Sequence, residues 1–460
     1  MTKDLTKGSP AKLILYFSIP LLIGNLFQQF YSMADTFIVG RTISVDALAA
    51  VGCTGSIAFF IIGFAQGLTA GFSIITAQRF GANDLEGVRK SVVSSSILSA
   101  VITVILTVVS VSLARPILVA MNTPANLLED AVSYISVIFW GIVASVLFNL
   151  LSNIIRALGD SVTPLVFLVI ACILNIILDY VCILVFHMGV AGAGWATVVS
   201  QLFSGLLCLV YIGKKLPILH LHKSDWKVSG SFHMDHLKVG LPMAFQTSII
   251  AIGAIALQAA LNNLGSTAVA AYTAAQKIDN LAVQPMASFG VTMATYTAQN
   301  YGAGNMERIR KGVRQCGIIS VIFSILAALI VIFAGRFFVG LFVGPENTEV
   351  IDLSMIYLVI NGSLYFILAL LFVYRNALQG LGKTFIPTLA GVMELLMRIF
   401  VAFTLASTLG FAGACMANPA AWIGAMIPLT IAYFTVSHRL KQHPPAPLTM
   451  HREPPHLSDH

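Results

Sequence analysis

From Leu13 to the region of His438, long apolar runs alternate with short polar breaks. A bilayer-crossing helix needs about 20 mainly apolar residues. The runs predict twelve such helices, near residues 13–39, 47–79, 91–120, 127–155, 162–187, 191–213, 238–262, 267–300, 313–343, 351–377, 384–408 and 412–438. Two polar stretches differ from the rest. The one around Lys214–Asp235 is long enough to pass between two bundles, and the proline-rich end beyond Lys441 reads as disordered. The pattern therefore predicts a polar segment 1–12, a first lobe 13–213, a linker 214–237, a second lobe 238–440 and a tail 441–460. The first apolar run is too long for the core of a cleavable signal, so the first helix is expected to stay in the protein.

The two lobes repeat one another. Residues 76–90, opening Thr76-Ala77-Gln78 and passing through Gly81-Ala82 to Arg89-Lys90, return 221 positions later as Thr297-Ala298-Gln299, Gly302-Ala303 and Arg310-Lys311. The same offset relates Ala47–Ala50 to Ala268–Ala271 and Gly189–Ala193 to Gly410–Ala414. Six is an even number of spans, so both lobes run in the same direction. A pseudo-two-fold axis along the membrane normal is expected to relate them. The fold class this predicts is an all-α polytopic membrane protein of two homologous six-helix lobes.

Composition excludes the soluble classes: 57% of the residues are apolar, only 10% are charged, and the mean hydropathy is +0.88. A net charge of +7 would ordinarily raise the question of nucleic acid, but its placement answers it. With the N-terminus inside, 21 Lys and Arg residues fall on the tails and the even-numbered connections, against Arg41, Arg115 and Arg336 on the other side. That asymmetry predicts a multi-pass inner-membrane protein with both termini cytoplasmic, and no nucleic-acid partner. The six cysteines lie in or beside apolar runs without CxxC or His/Cys clustering, which speaks for packing rather than a metal site.

Several motifs dissolve on inspection. Ala377–Thr384 nearly spells a phosphate-binding loop, but it lacks the first glycine and a preceding strand, and its repeat counterpart Arg156–Ser161 has no lysine. An inter-helix turn is the better reading. Neither HExxH nor GxSxG occurs, so no intramembrane enzyme is indicated. Gly63, Gly67 and Gly71 form a small-residue seam suited to close helix packing.

Ionisable residues inside spans cost about 2.5–3.5 kcal/mol each on insertion scales, so each is a candidate for function. Six stand out: Asp35, Asp179, Lys277, Asp279, Glu394 and Arg398. Glu394 and Arg398 are four apart and read as a self-neutralising pair on one helical face. Lys277 and Asp279 are two apart, point to different faces and need partners elsewhere. Asp35 and Asp179 have no basic residue within one turn. Asn175 shares the face of Asp179, and Asn25, Gln28 and Tyr31 lie near the face of Asp35. A carboxylate among neutral oxygen-bearing groups suits a proton or a small hard cation such as sodium.

With these residues in view, the chain resembles the multidrug and toxic compound extrusion (MATE) family over residues 10–440. The likeness rests on Ile19-Pro20, Ala34-Asp35-Thr36-Phe37-Ile38-Val39-Gly40, Gly81-Ala82, Arg156-Ala157-Leu158-Gly159-Asp160 and Asn175-Ile176-Ile177-Leu178-Asp179. The resemblance implies two lobes forming a V, export of organic cations in exchange for protons or sodium, and a first-lobe ion site at Asp35, Asn175, Asp179 and Thr197 with Asn153 adjacent. The second lobe departs from one branch of the family, because Pro242–Leu261 and Ser363–Val373 hold no acidic residue. Coupling is therefore expected to rest on the first lobe alone.

The reading is a secondary multidrug antiporter, expected as a monomer in the bilayer, without a cofactor and driven by H+ or Na+. Gln28, Tyr31, Phe60, Gln246, Gln276 and Met293 are candidates for the substrate cavity. The alternative is a lipid-linked oligosaccharide flippase of similar architecture, which would have a more cationic cavity.

Overall fold

The computed structural model describes residues 4–442, the Val45 side chain excepted. The tail read as disordered lies, from residue 443 onward, outside the described residues. Every regular element among the described residues is helical. The α-helices are α1 (Pro10–Thr42), α2 (Val45–Gly81), α3 (Leu85–Ala120), α4 (Ala125–Trp140), α5 (Ile142–Ala157), α6 (Val162–Tyr180) and α7 (Val190–Lys215) in the first half. The second half holds α8 (Gly230–Asn262), α9 (Ser266–Gly302), α10 (Met306–Val343), α11 (Thr348–Gly362), α12 (Tyr365–Gly380), α13 (Phe385–Cys415) and α14 (Ala417–Gln442).

Nine of these helices are long and apolar enough to cross a membrane. Counting α4/α5 and α11/α12 as single spans bent by 44° and 49° brings the number to eleven among the described residues. The exception is α9, whose 37 residues include Gln276, Lys277, Asp279, Asn280 and Gln284. It packs against α1, α2, α10, α11 and α12, and every residue from Thr292 to Asn300 is buried. A helix shielded by protein need not be apolar on all sides, since its polar groups meet partners instead of lipid.

The helices overrun their predicted ends because hydropathy misses polar residues that are good helix formers. Thus α3 starts at Leu85 and α10 at Met306, and the predicted linker 214–237 shrinks to 216–229. The predicted helix 127–155 breaks at Gly141, where a Cβ would strike Val198, and 351–377 breaks at Ser363–Leu364. The predicted polar segment 1–12 is partly structured: Leu5 is buried, and α1 already begins at Pro10.

The repeat returns in backbone geometry. Asn83 and Gly304, 221 apart, both take positive φ (56° and 72°), as do Gly189 and Gly410 (both 60°), so α13 is broken at Gly410 as the repeat requires. Left-handed backbone favours glycine, with asparagine the tolerated substitute.

The halves meet along α2 and α8. A Cβ on Gly67 would come within 2.6 Å of the Met243 carbonyl, and one on Gly71 within 2.5 Å of the Gly240 Cα, so the glycine seam is an inter-half contact. At the end rich in basic residues, the repeated Thr-Ala-Gln motifs form reciprocal latches. Gln78 donates to the Gly380 carbonyl at 2.9 Å, and Gln299 donates to the Ala157 carbonyl at 2.7 Å. Gly81 abuts the Gln299 backbone and Gly302 the Gln78 backbone, with no room for a methyl group at either. The N-terminal segment is tied down at the same place: Leu5 N–H donates to Gln299 at 2.9 Å, and Arg308 donates to the Gly8 carbonyl at 2.7 Å.

Gly81→Ala is expected to wedge this end open, at a cost of about 1–3 kcal/mol from overpacking against backbone that has no rotamer to yield. In a background free of native cysteines, Ala298→Cys should be inert to a water-soluble maleimide and become reactive when Gly81→Ala is added. Unchanged labelling would mean that the latch does not hold the end closed.

The 216–229 connection is anchored by Asp225, which is fully buried, bonded to Arg89 at 2.9 Å and to the His222 N–H at 2.8 Å. Burial by itself pushes the Asp225 carboxyl up, but the His222 N–H and the Arg89 guanidinium outweigh it and hold the group below the usual carboxylate range. A depressed folded-state pKa stabilises docking above the free carboxylate value and loses that contribution as pH falls. Protease protection of the connection should therefore persist at pH 6 and fade below about pH 4, and Arg89→Gln should move the loss to higher pH.

Candidate functional site

Helical spacing builds the first-half site. Tyr31 and Asp35 are one turn apart on α1, and Asn175 and Asp179 are one turn apart on α6. The two faces oppose each other, with Thr197 of α7 between them. The Asp35 and Asp179 carboxyl groups meet at hydrogen-bonding range. Both residues are buried, and the Oδ1 of each has no partner among the described residues. With its amide oriented by its neighbours, Asn175 donates to Asp179 Oδ2 at 3.1 Å and accepts from the Thr197 N–H at 3.2 Å. Tyr31 donates to Thr197 Oγ1 at 3.1 Å, and that hydroxyl donates to the Ala193 carbonyl at 3.1 Å.

Two ionised carboxylates are both acceptors and repel, so their contact requires a proton or a cation between them. One residue beyond Asp179 the helix continues as a π turn, Val181–Val185, a distortion that recurs at functional sites. Tyr134 of α4 lies close enough to feel both acids. Sequence reading missed it because it is one aromatic among many in an apolar helix, and only the packing of α4 on α7 brings it there.

Asn153 stands apart from this group. It donates to Thr69 of α2 at 3.3 Å and accepts from Arg156 at 3.4 Å near the basic end, whereas the acids lie toward the opposite ends of α1 and α6.

In the second half, Glu394 is bound by two arginines, Arg398 at 3.0 Å and Arg375 of α12 at 2.7 Å. Arg375, one of the 21 basic residues counted on the tails and even-numbered connections, is buried inside α12. Nearby, Asp279 accepts from Tyr365 at 2.5 Å and Tyr357 at 3.2 Å, and Asn418 donates to the Tyr357 hydroxyl at 3.3 Å. The Tyr272 ring packs edge-on against Tyr357 at 5.3 Å and closes this polar group.

The cavity candidates separate. Gln28 and Tyr31 line a small cavity of about 50 Å³ beside the acid pair, with Gln66, Asn149 and Gln201. Gln246 is instead buried against Gln379 at 2.8 Å, and Met293 is wholly enclosed in the core, so neither faces a cavity. Gln276 donates to Tyr272 at 3.1 Å, and the Phe60 carbonyl accepts from Ser248 at 3.3 Å. Lys277 is exposed. It lines a cleft of about 550 Å³ between α1 and α9 that also holds Gln29, Ser32 and Arg41 and lies away from the basic end.

This geometry can be set beside known proteins. The MatE family model matches twice, over residues 20–181 and 242–404. The chain belongs to the MatE family. It is similar to Probable multidrug resistance protein YoeA of Bacillus subtilis, 26% identical with 96% of this chain and 97% of that one covered. It is also similar to Probable multidrug resistance protein NorM of Thermotoga maritima, 26% identical over 90% and 88% of the two chains. Among solved structures, the crystal structure of MATE in complex with MaL6 superposes with a TM-score of 0.87 at 25% identity, covering 96% of this chain and 99% of that one.

Proposed function

We propose that this chain is a secondary multidrug exporter that expels organic cations or amphipathic drugs in exchange for protons or sodium. The observation that carries the reading is the buried contact of Asp35 with Asp179. A pair of acids in contact must hold a positive charge, and it separates or binds a second charge when that charge leaves or changes. Such a site can be read from outside only through helix movement, here of α1 against α6. The donor set of carboxylates, hydroxyl and amide is all oxygen-bearing, which suits a proton or Na+. In the same reading, α9 is a twelfth span. The first lobe (α1–α7) and the second (α8–α14) are related by a pseudo-two-fold axis along the membrane normal. The basic end faces the cytoplasm, so the latched state faces outward, and the protein works as a monomer in the inner membrane.

Family membership and the names of the relatives support drug export. The lining of the cleft by Lys277 and Arg41 favours a second reading, carriage of an anionic lipid-linked sugar. Reconstituted protein separates the two: ethidium counterflow that acidifies or takes up sodium on the drug-releasing side is expected, and flipping of an anionic lipid without dye transport would replace the main reading. Tags at Ser224 and after Gln442 should both be cytoplasmic, and one at Asn122–Asn126 external. Opposite sides for the first two would break the twelve-span arrangement.

A further inference from the structure

Outside the proposed transport pathway, a groove of about 920 Å³ opens on the outer face of the second half, with α12 as floor and α10 and α14 as walls. Its rim, at the basic end, carries Arg310, Arg314, His438 and Lys441, and no acidic residue lines it among the described residues. Some cations at this end are matched within the chain, Arg79 with Asp84, Arg89 with Asp225 and Lys90 with Glu86. Among the described residues, Arg310, Arg314 and Lys441 enter no ion pair.

Below the rim the groove is apolar, running along α10 past Val313 and Gly317 to Ile322 and over Leu370. Tyr374 and Tyr433 stack at 5.0 Å and form its aromatic shoulder. At 1.5 Å per residue, Arg310 to Ile322 spans about 18 Å, close to one leaflet of a hydrocarbon core about 30 Å thick. Arg310 and Arg314 are one helical turn apart and face the same way, with Lys441 across from them.

We infer that this groove is a binding site for an anionic phospholipid, whose phosphate sits among Arg310, Arg314 and Lys441 and whose acyl chain lies along α10 and α12. A zwitterionic headgroup is disfavoured because the described lining offers its amine no carboxylate. A cationic drug is disfavoured for the same reason. Basic pockets between spanning helices bind anionic headgroups through this combination of charge and apolar wall.

The test is a native mass spectrometry titration of the delipidated full chain in neutral detergent. Phosphatidylglycerol should bind at least tenfold more tightly than phosphatidylcholine. Each arginine removed should weaken phosphatidylglycerol about fivefold, equivalent to about 1 kcal/mol per basic residue at an anionic surface. Arg310→Gln with Arg314→Gln should therefore lose about 25-fold, leaving phosphatidylcholine unchanged, and Arg115→Gln with Arg336→Gln, both exposed at the other end, should have no effect. If the double variant unfolds without lipid, the exposed Arg314→Gln alone carries the test. Equal affinity for the two lipids, undiminished binding by the groove variant, or the same loss in the control pair would each overturn the proposal. Displacement of lipid by equimolar glycerol phosphate would also overturn it, by assigning the site to a soluble phosphate.

Discussion

Asp179→Asn is expected to yield a folded protein that still binds dye and no longer concentrates it. The amide keeps the size of the side chain and can donate to Asp35, so it imitates the state in which the two acids share a positive charge. What it removes is the release and recapture of that charge. The energetics make the readout specific. One charge crossing 100 mV is worth about 2.3 kcal/mol, and one pH unit about 1.4 kcal/mol. Exchange of one monovalent dye for one proton is electroneutral and yields about tenfold accumulation per pH unit. Because two carboxylates share the site, exchange of two ions is expected, and wild-type export should then respond to a voltage clamped with potassium and valinomycin at fixed pH. Concentrative export by well-expressed Asp179→Asn would remove this residue from coupling, and voltage-independent wild-type export would restrict the site to one ion per cycle.

Glu394→Gln should be the most damaging single change in the second half, costing about 3–5 kcal/mol because it strands two buried guanidiniums at once. Its bonds to Arg375 and Arg398 are both below 3.1 Å, and all three side chains are buried. The structure also changes which compensating variant is informative. Neutralising only Glu394 and Arg398 would leave Arg375 without its carboxylate, so the Glu394→Gln/Arg398→Met double change should remain poorly folded. Adding Arg375→Met removes the last unpaired charge and should restore the protein level and unfolding temperature. Export by the triple variant should then approach wild type; a folded triple variant without export would place the cluster in the transport cycle.

The pattern of apolar runs was enough to locate the helices, because a lipid-facing segment must satisfy its backbone internally and show lipid an apolar surface. The 221-residue repeat was legible for a related reason: turns such as Asn83/Gly304 and Gly189/Gly410 need residues that tolerate left-handed backbone, and those residues recur in both halves. The pairings of Tyr31 with Asp35 and of Asn175 with Asp179 also follow from 3.6-residue periodicity, which places each pair on one face without reference to any other helix. What the periodicity leaves open is which faces meet. The contact of Asp35 with Asp179, the arrival of Tyr134 from α4 and the separation of Asn153 depend on how α1, α4, α6 and α7 pack, and residues distant in sequence carry no local mark of that packing. The same holds for Arg375, whose charge and position near a helix end resemble those of a connecting loop until α13 supplies Glu394. The polarity of α9 belongs with these: read alone it weakens the case for a span, and only enclosure by five neighbouring helices explains how a membrane protein keeps Asp279 buried there.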